Sequence, residues 1–207
     1  MRTRRLAPER KAEIVDAALV LADREGPDRL TTEAIARAVG ISQPAVFRHF
    51  STKQALWCAV AEELGQRMRQ EWRSALSAHP EPGARIEALV TAQLGLVERL
   101  PAVTSILFSR ELHARNEPLR AVFAGLLAEL RGHLEAAFAE LACAGRLGSG
   151  VSAAAAASLV VSLLPGLAVR WSLGAKSFAL VDEGQHLVSL QLRALAGELR
   201  PARGAMA

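Results

Sequence analysis

Apolar residues recur along most of this chain at spacings of three and four, the period of one buried helical face. Ile14, Ala18, Leu21 and Ala22 mark a first helix over residues 8–25 that ends at Gly26-Pro27. Ile35, Ala36 and Val39 mark a short second helix, and Val46 and Phe50, four apart, a short third. A long fourth helix, expected over 52–77, carries Leu56, Trp57, Val60, Leu64, Met68 and Trp72. Pro80-Glu81-Pro82-Gly83 is the clearest loop. Beyond it the pattern predicts helices over 84–100 (Ile86, Leu89, Val90, Leu94) and 102–115 (Ile106, Leu107, Phe108, Leu112), separated at Pro101. Asn116 is placed to cap a helix reaching Cys143, with Leu119, Phe123, Leu126, Leu127, Leu130, Leu134 and Phe138 inward. After the loop at 145–150, a helix rich in small residues spans 152–173. Asp182 caps a last one to 199, with Leu187, Val188, Leu190, Leu192 and Leu195. No alternating strand pattern and no internal repeat interrupts this series, so the fold expected is all-α.

The most specific segment is 30–54. Thr31 or Thr32 can cap the second helix through its hydroxyl. Gly40 ends that helix, where a left-handed backbone suits only glycine. Ser42 is expected to cap the third helix, with Pro44 in its first turn, where a missing N–H costs little. Ser51-Thr52-Lys53-Gln54 reads as a capping box for the fourth. Val46 and Phe50 then face inward, leaving Gln43, Ala45, Phe47, Arg48 and His49 on or near the outer face. Two short helices joined through a glycine turn can place the second in a DNA major groove. There Gln pairs with adenine edges and Arg with guanine edges or phosphate. An ordinary solvated hairpin would not need cap, glycine, second cap, proline and third cap in this order.

These residues resemble the tetracycline-repressor (TetR/AcrR) family of transcriptional regulators. The likeness rests on Ile14-Val15-Asp16-Ala17-Ala18, the Gly26 turn, Leu30-Thr31-Thr32, Ile35-Ala36, Val39-Gly40-Ile41-Ser42 and Phe47-Arg48-His49-Phe50-Ser51-Thr52-Lys53-Gln54-Ala55-Leu56. It covers about a quarter of the chain. The resemblance implies an all-α homodimer: a helix-turn-helix DNA-binding domain over 1–60, and an effector-binding and dimerisation domain over 61–207. Carried over by position, Thr32, His49 and Lys53 would hold phosphates, and Gln43, Pro44, Ala45 and Arg48 would face bases. Phe47 stands where the family usually has Tyr, and the chain contains no Tyr. The lost phenolic hydrogen bond to phosphate should cost about 1 kcal/mol, while the ring can still pack on the sugar-phosphate wall.

Composition adds placement. The formal net charge is +4, too small for a nucleic-acid coat. Yet Arg2, Arg4, Arg5, Arg10 and Lys11 against Glu9 give the first eleven residues that same excess. A basic arm of this kind suits phosphate or a minor groove. Cys58 and Cys143 lack metal spacing and are expected to be buried thiols in a reducing, cytoplasmic setting. The basic N-terminus has no apolar stretch of signal length after it. Residues 151–169 approach the length of a membrane span, but Ser152, Ser158, Ser162 and Pro165 argue instead for a helix buried in a subunit interface. No membrane association is expected.

By the same resemblance, the last two helices pair with those of a second copy, with Leu159, Val160, Leu163, Leu187, Leu190 and Leu195 at the contact. A two-fold dimer spaces its recognition helices about 34–36 Å apart for a palindrome. Leu64, Met68, Trp72, Leu94, Phe108, Leu112, Phe123, Leu127, Leu164 and Trp171 are the candidate lining of an effector pocket, which suggests an apolar or aromatic effector. Arg110, His113 and Arg170 are placed to orient one polar group. His113 with Glu111 and Glu117 lacks metal-clamp geometry, and no cofactor is implied. No converging nucleophile–base set or phosphate loop suggests an enzyme. The function expected is a ligand-released repressor, with the effector shifting the fourth helix and tilting the head through Trp57 and Val60. An adaptor of the same fold controlled by a protein partner, or an activator, stays open.

Overall fold

The computed structural model describes residues 7–196, and these residues form ten helices and no strand. The basic Arg2, Arg4 and Arg5, and the expected helix end at 199, lie outside the described residues. α1 (Ala7–Glu25) ends at Gly26, whose φ of 81° turns the chain. α2 (Thr32–Val39) is capped by Thr31, whose Oγ1 accepts from the Ala34 N–H at 3.1 Å. Gly40 follows at φ 70°, ψ 40°, and Ile41 N–H closes the end on the Ala36 carbonyl at 2.9 Å. A Cβ at that left-handed position would be strained.

Two caps differ from expectation. Ser42 precedes α3 (Gln43–His49), but its hydroxyl makes no capping bond. Pro44 has already removed one of the N–H groups that needed an acceptor, and the Ser42 carbonyl takes the Ala45 N–H at 2.9 Å. At the start of α4 (Lys53–Ala78) the capping hydroxyl belongs to Thr52, which accepts from Ala55 N–H at 3.0 Å. The cap therefore sits one residue later than a box opened by Ser51.

α5 (Pro82–Arg99) begins earlier than its apolar pattern. The single helix expected over 102–115 is two, α6 (Ala102–Phe108) and α7 (Arg110–Ala114). Ser109 breaks it. Its backbone is extended (φ −69°, ψ 104°), its buried Oγ accepts from Leu112 N–H at 3.0 Å, and its hydroxyl donates to Asp28. Asn116 caps α8 (Glu117–Cys143) as expected, accepting from Leu119 N–H at 3.2 Å. Ser152 caps α9 (Ala153–Leu173) through Ala155 N–H at 3.1 Å, and the helix runs on through Pro165.

α10 (Leu180–Leu195) starts at Ala179 and not at Asp182, which lies in its first turn. Alanine offers no acceptor, and another helix supplies it: Glu98 Oε1 of α5 accepts from Leu180 N–H at 2.7 Å and Val181 N–H at 3.3 Å. The carboxylate also sits at the positive end of the α10 dipole. Glu98→Ala should therefore lower stability by about 1 kcal/mol, read as a shift in urea midpoint at unchanged slope.

The described chain packs as two compact units, one of residues up to Arg67 with Leu100–Leu126, the other of Met68–Arg99 with residues from Leu127. In the first, α1 packs on α2, α3 and α6. Ile14, Ala18, Leu30, Ile35, Val46, Trp57 and Val60 are each at most 2% exposed. Arg67 ties α4 to α1 there, with bonds of 2.8 Å to both Glu63 and Asp16. In the second, α10 packs on α5 and α9 over a core that includes Leu89, Leu94, Phe138, Val160 and Val188. Gly184 permits the close α5–α10 approach, since a Cβ there would lie 2.1 Å from Leu94 Cδ1. Gly184→Ala should displace Leu94 and destabilise by about 1–3 kcal/mol, seen as a lower thermal midpoint.

Candidate nucleic-acid interface

α3 is short and rigidly placed. Val46 (1% exposed) and Phe50 (7%) anchor it, and Lys11 Nζ lies 5.8 Å over the Phe50 ring. Gln43, Pro44, Phe47 and Arg48 are exposed on its other side, and His49 is half-buried. Phe47, at 41% exposure, is a large apolar ring held in water, which nothing in a free monomer's core requires. Arg48 forms no ion pair among the described residues. Lys53, half-buried, opens α4 next to these groups.

Ala45 is a correction. Expected on the outer face, it is 8% exposed and belongs to the core side of α3. Adjacent helix positions differ by about 100°, and a methyl beside Val46 is small enough to be largely covered. Thr32 is also nearly buried, at 9%. Its Oγ1 accepts a hydrogen bond from Gln43 Nε2 at 2.8 Å. The pairing joins the first turn of α2 to the first residue of α3 and holds the carboxamide in one pose. Sequence reasoning named both residues and missed the bond between them, because their separation of eleven positions carries no periodic signal.

The candidate effector residues divide between the units. Leu64, Leu112 and Phe123 are buried in the first; Met68, Trp72, Leu94, Leu164 and Trp171 are buried in the second. Phe108 and Leu127 correct the set: at 46% and 54% exposure they stand at the surface. Phe108 is the last residue before the Ser109 break, and Leu127 lies on the outer side of α8. Trp72 Nε1 donates to Gln93 Oε1 at 3.0 Å and its ring meets His133 edge-on, so two polar groups lie among the buried apolar residues of the second unit. Cavities of about 320 and 600 Å³ in that unit are lined by other residues, the first by Phe138, Leu141 and Leu192 among others, the second by Glu71, Thr91 and Gln185 among others. His113 is satisfied locally, its Nε2 3.2 Å from the Ile106 carbonyl and its ring against Phe123. Arg170 pairs with Glu183 and lies over the Phe178 ring.

Of the expected contact residues, Val160 is corrected: it is fully buried within the chain's own core. The outer side of α9 runs instead through Ala155, Leu159, Ser162 and Gly166, with Leu163, Leu187, Leu190 and Leu195 half-buried. α9 is long and apolar enough to cross a membrane by length and composition, and 39% of its most apolar stretch is buried. Cys143 is exposed, against expectation, while burial pushes the Cys58 thiol up from its ordinary range. No group of three or more metal-ligating side chains occurs among the described residues.

A capped helix, a left-handed glycine and an anchored second helix with exposed Gln43, Phe47 and Arg48 define a helix-turn-helix DNA-binding protein. The family model for bacterial regulatory proteins of the tetR family matches residues 14–60, and the model for the C-terminal part of BetI-type transcriptional repressors matches 82–197. The chain belongs to the TetR family of transcriptional regulators. The nucleoid occlusion factor SlmA of Aliivibrio fischeri (strain MJ11) is 33% identical over 115 residues, 55% of this chain and 59% of that protein. The chain thus spans about six-tenths of the length of this curated relative. Two solved structures share the fold. A TetR transcription regulator from Haloarcula marismortui is 20% identical with a TM-score of 0.78, covering 91% of this chain and 98% of that one. FadR from Bacillus subtilis in complex with stearoyl-CoA is 15% identical with a TM-score of 0.75, covering 87% and 97%.

Proposed function

We propose that this regulator is a homodimeric repressor that binds a palindromic operator and leaves it when a small apolar or aromatic effector binds. The observation that carries the reading is the exposed Gln43–Phe47–Arg48 face on a helix whose other side is locked into the core. Residues 1–60 form the reading head and 61–207 the sensing and pairing domain. Gln43, Pro44 and Arg48 meet base edges; Thr32, His49 and Lys53 meet phosphates; Phe47 packs on the backbone wall. Protomers pair through Leu159, Leu163, Leu187, Leu190 and Leu195. The effector enters the second unit among Met68, Trp72, Leu94, Leu164 and Trp171, where Gln93 and His133 supply polar contacts. The stearoyl-CoA bound by the FadR neighbour supports an apolar effector. A protein that works on the chromosome in this way is cytoplasmic and carries no catalytic role.

The likeness to SlmA favours a second reading, an adaptor that serves nucleoid occlusion and answers to a protein partner. One experiment separates the two. Purified protein is titrated onto the DNA upstream of its own gene at two salt concentrations, with unrelated DNA as competitor. Binding that competitor does not displace, and that an apolar small molecule reverses, supports the sensor. Sequence-specific binding that such molecules leave unchanged supports the adaptor. Binding that salt abolishes whatever the sequence would overturn both.

A further inference from the structure

Gln43 opens α3 with an exposed side chain. Its carboxamide has two different ends, an oxygen that only accepts and an NH2 with two hydrogens to donate. One of those hydrogens is committed: Nε2 donates to Thr32 Oγ1 at 2.8 Å. Thr32 is the first residue of α2, is 9% exposed, and has a β-branched side chain with little freedom at χ1. The acceptor it offers is therefore held in place. Gln43 Oε1 takes no hydrogen bond among the described residues, and the Thr32 hydroxyl donates none. What Gln43 has left for DNA is one acceptor, Oε1, and one Nε2 hydrogen.

Base edges differ in what they ask of such a pair. Adenine presents an N6 amino donor beside the N7 acceptor in the major groove, which matches one acceptor and one donor. Guanine presents two acceptors, O6 and N7. Against guanine, Gln43 either sets Oε1 against O6, acceptor to acceptor, or turns its NH2 to the base and leaves Oε1 facing Thr32. The Thr32 hydroxyl could accommodate a turned carboxamide by donating to Oε1, since a hydroxyl both donates and accepts. A phosphate on Thr32 forbids that, because its oxygens only accept and claim the hydroxyl hydrogen. We propose that Thr32 is a specificity-determining residue: it fixes the polarity of the Gln43 carboxamide and so selects adenine against guanine at the base pair that Gln43 reads. Thr32 thus specifies a base that it does not touch, by rejecting the wrong partner as much as by favouring the right one. The inference rests on the reading of Gln43 as a base contact and of Thr32 as a phosphate contact.

Randomised duplexes are selected on the purified full chain, and the pair read by Gln43 is located as the position where Gln43→Ala loses its preference. Duplexes differing only at that pair are then compared by fluorescence anisotropy. The protein should favour adenine over guanine there roughly tenfold or more. Thr32→Ser, which keeps the hydroxyl, should keep that ratio. Thr32→Val, of the same shape without the hydroxyl, should bring the two affinities together. The ratio is internal to each variant, so a loss of folded protein does not alter it. If Thr32→Val weakens both duplexes alike and leaves the ratio unchanged, the inference is overturned, and Thr32 holds phosphate or scaffold only. A preference for guanine in the unchanged protein overturns it too, as does a Gln43→Ala variant that loses preference at no position. Each of these outcomes leaves sequence-specific binding intact. Selection of no sequence at all would instead remove the DNA-reading function itself, and this inference with it.

Discussion

Asn116→Ala should destabilise the protein by about 2–4 kcal/mol, lowering the thermal midpoint by roughly 5–15 °C for a chain of this size. Asn116 is 4% exposed and uses both ends of its carboxamide. Oδ1 caps α8 through Leu119 N–H and accepts from the Cys58 thiol at 3.4 Å; Nδ2 donates to the Gln54 carbonyl of α4. Alanine leaves the buried Leu119 N–H without an acceptor, where it costs more than the bond was worth in the intact protein, and takes a partner from the part-buried Gln54 carbonyl and Cys58 thiol. Thr31→Ala removes a cap exposed to water, where solvent replaces the lost acceptor, and should cost only about 1 kcal/mol. Calorimetry of the two variants checks the contrast. Equal midpoints would mean that the Asn116 contacts add nothing beyond an ordinary cap.

Gln43→Ala should weaken operator binding about ten- to hundredfold and flatten the preference among base pairs at its position. Thr32 already orients the Gln43 carboxamide, so little rotamer freedom is lost when it meets a base. Lys53→Gln should behave differently. It loses affinity on all sequences alike and reduces the slope of log affinity against log salt by about 1. Fluorescence anisotropy on operator and scrambled duplexes at several salt concentrations separates the two signatures. If Gln43→Ala weakens both duplexes equally, Gln43 touches backbone and reads no base.

Much of the reading head was legible because its signals are local. Thr31, Gly40 and Pro44 act within one turn of where they sit in the chain, and the Gly40 conformation follows from the absent Cβ alone. The likeness of 14–60 to a known family rests on the same short-range pattern. The errors in this region are also short-range. Ser42 looked like a cap, but Pro44 had removed part of the demand for one. Ala45 looked exposed because periodicity does not say whether a methyl at the edge of a stripe is covered.

Beyond the head, hydrophobic spacing foretold the all-α class and most of the helices, since a 3.6-residue period survives whatever the helix packs against. It carried no information on which apolar faces meet. Phe108 and Leu127 share the pattern of Phe123 and Leu126, yet the former pair is exposed and the latter buried. Val160 and Leu159 are neighbours in an unbroken apolar run, and packing turned one wholly inward and left the other half in solvent.

The helical content, the glycine turn and the family were written in local order along the chain. Contacts between distant positions settled the rest. Glu98 starts α10 from another helix, Ser109 breaks a helix by binding Asp28, Thr32 holds Gln43, and Asn116 joins α8 to α4 beside a tryptophan with an unused N–H. Each depends on two residues being brought together across 11 to 82 positions of chain. Only the folded packing sets that proximity, because a side chain's partner is chosen by distance in space and not by spacing in sequence.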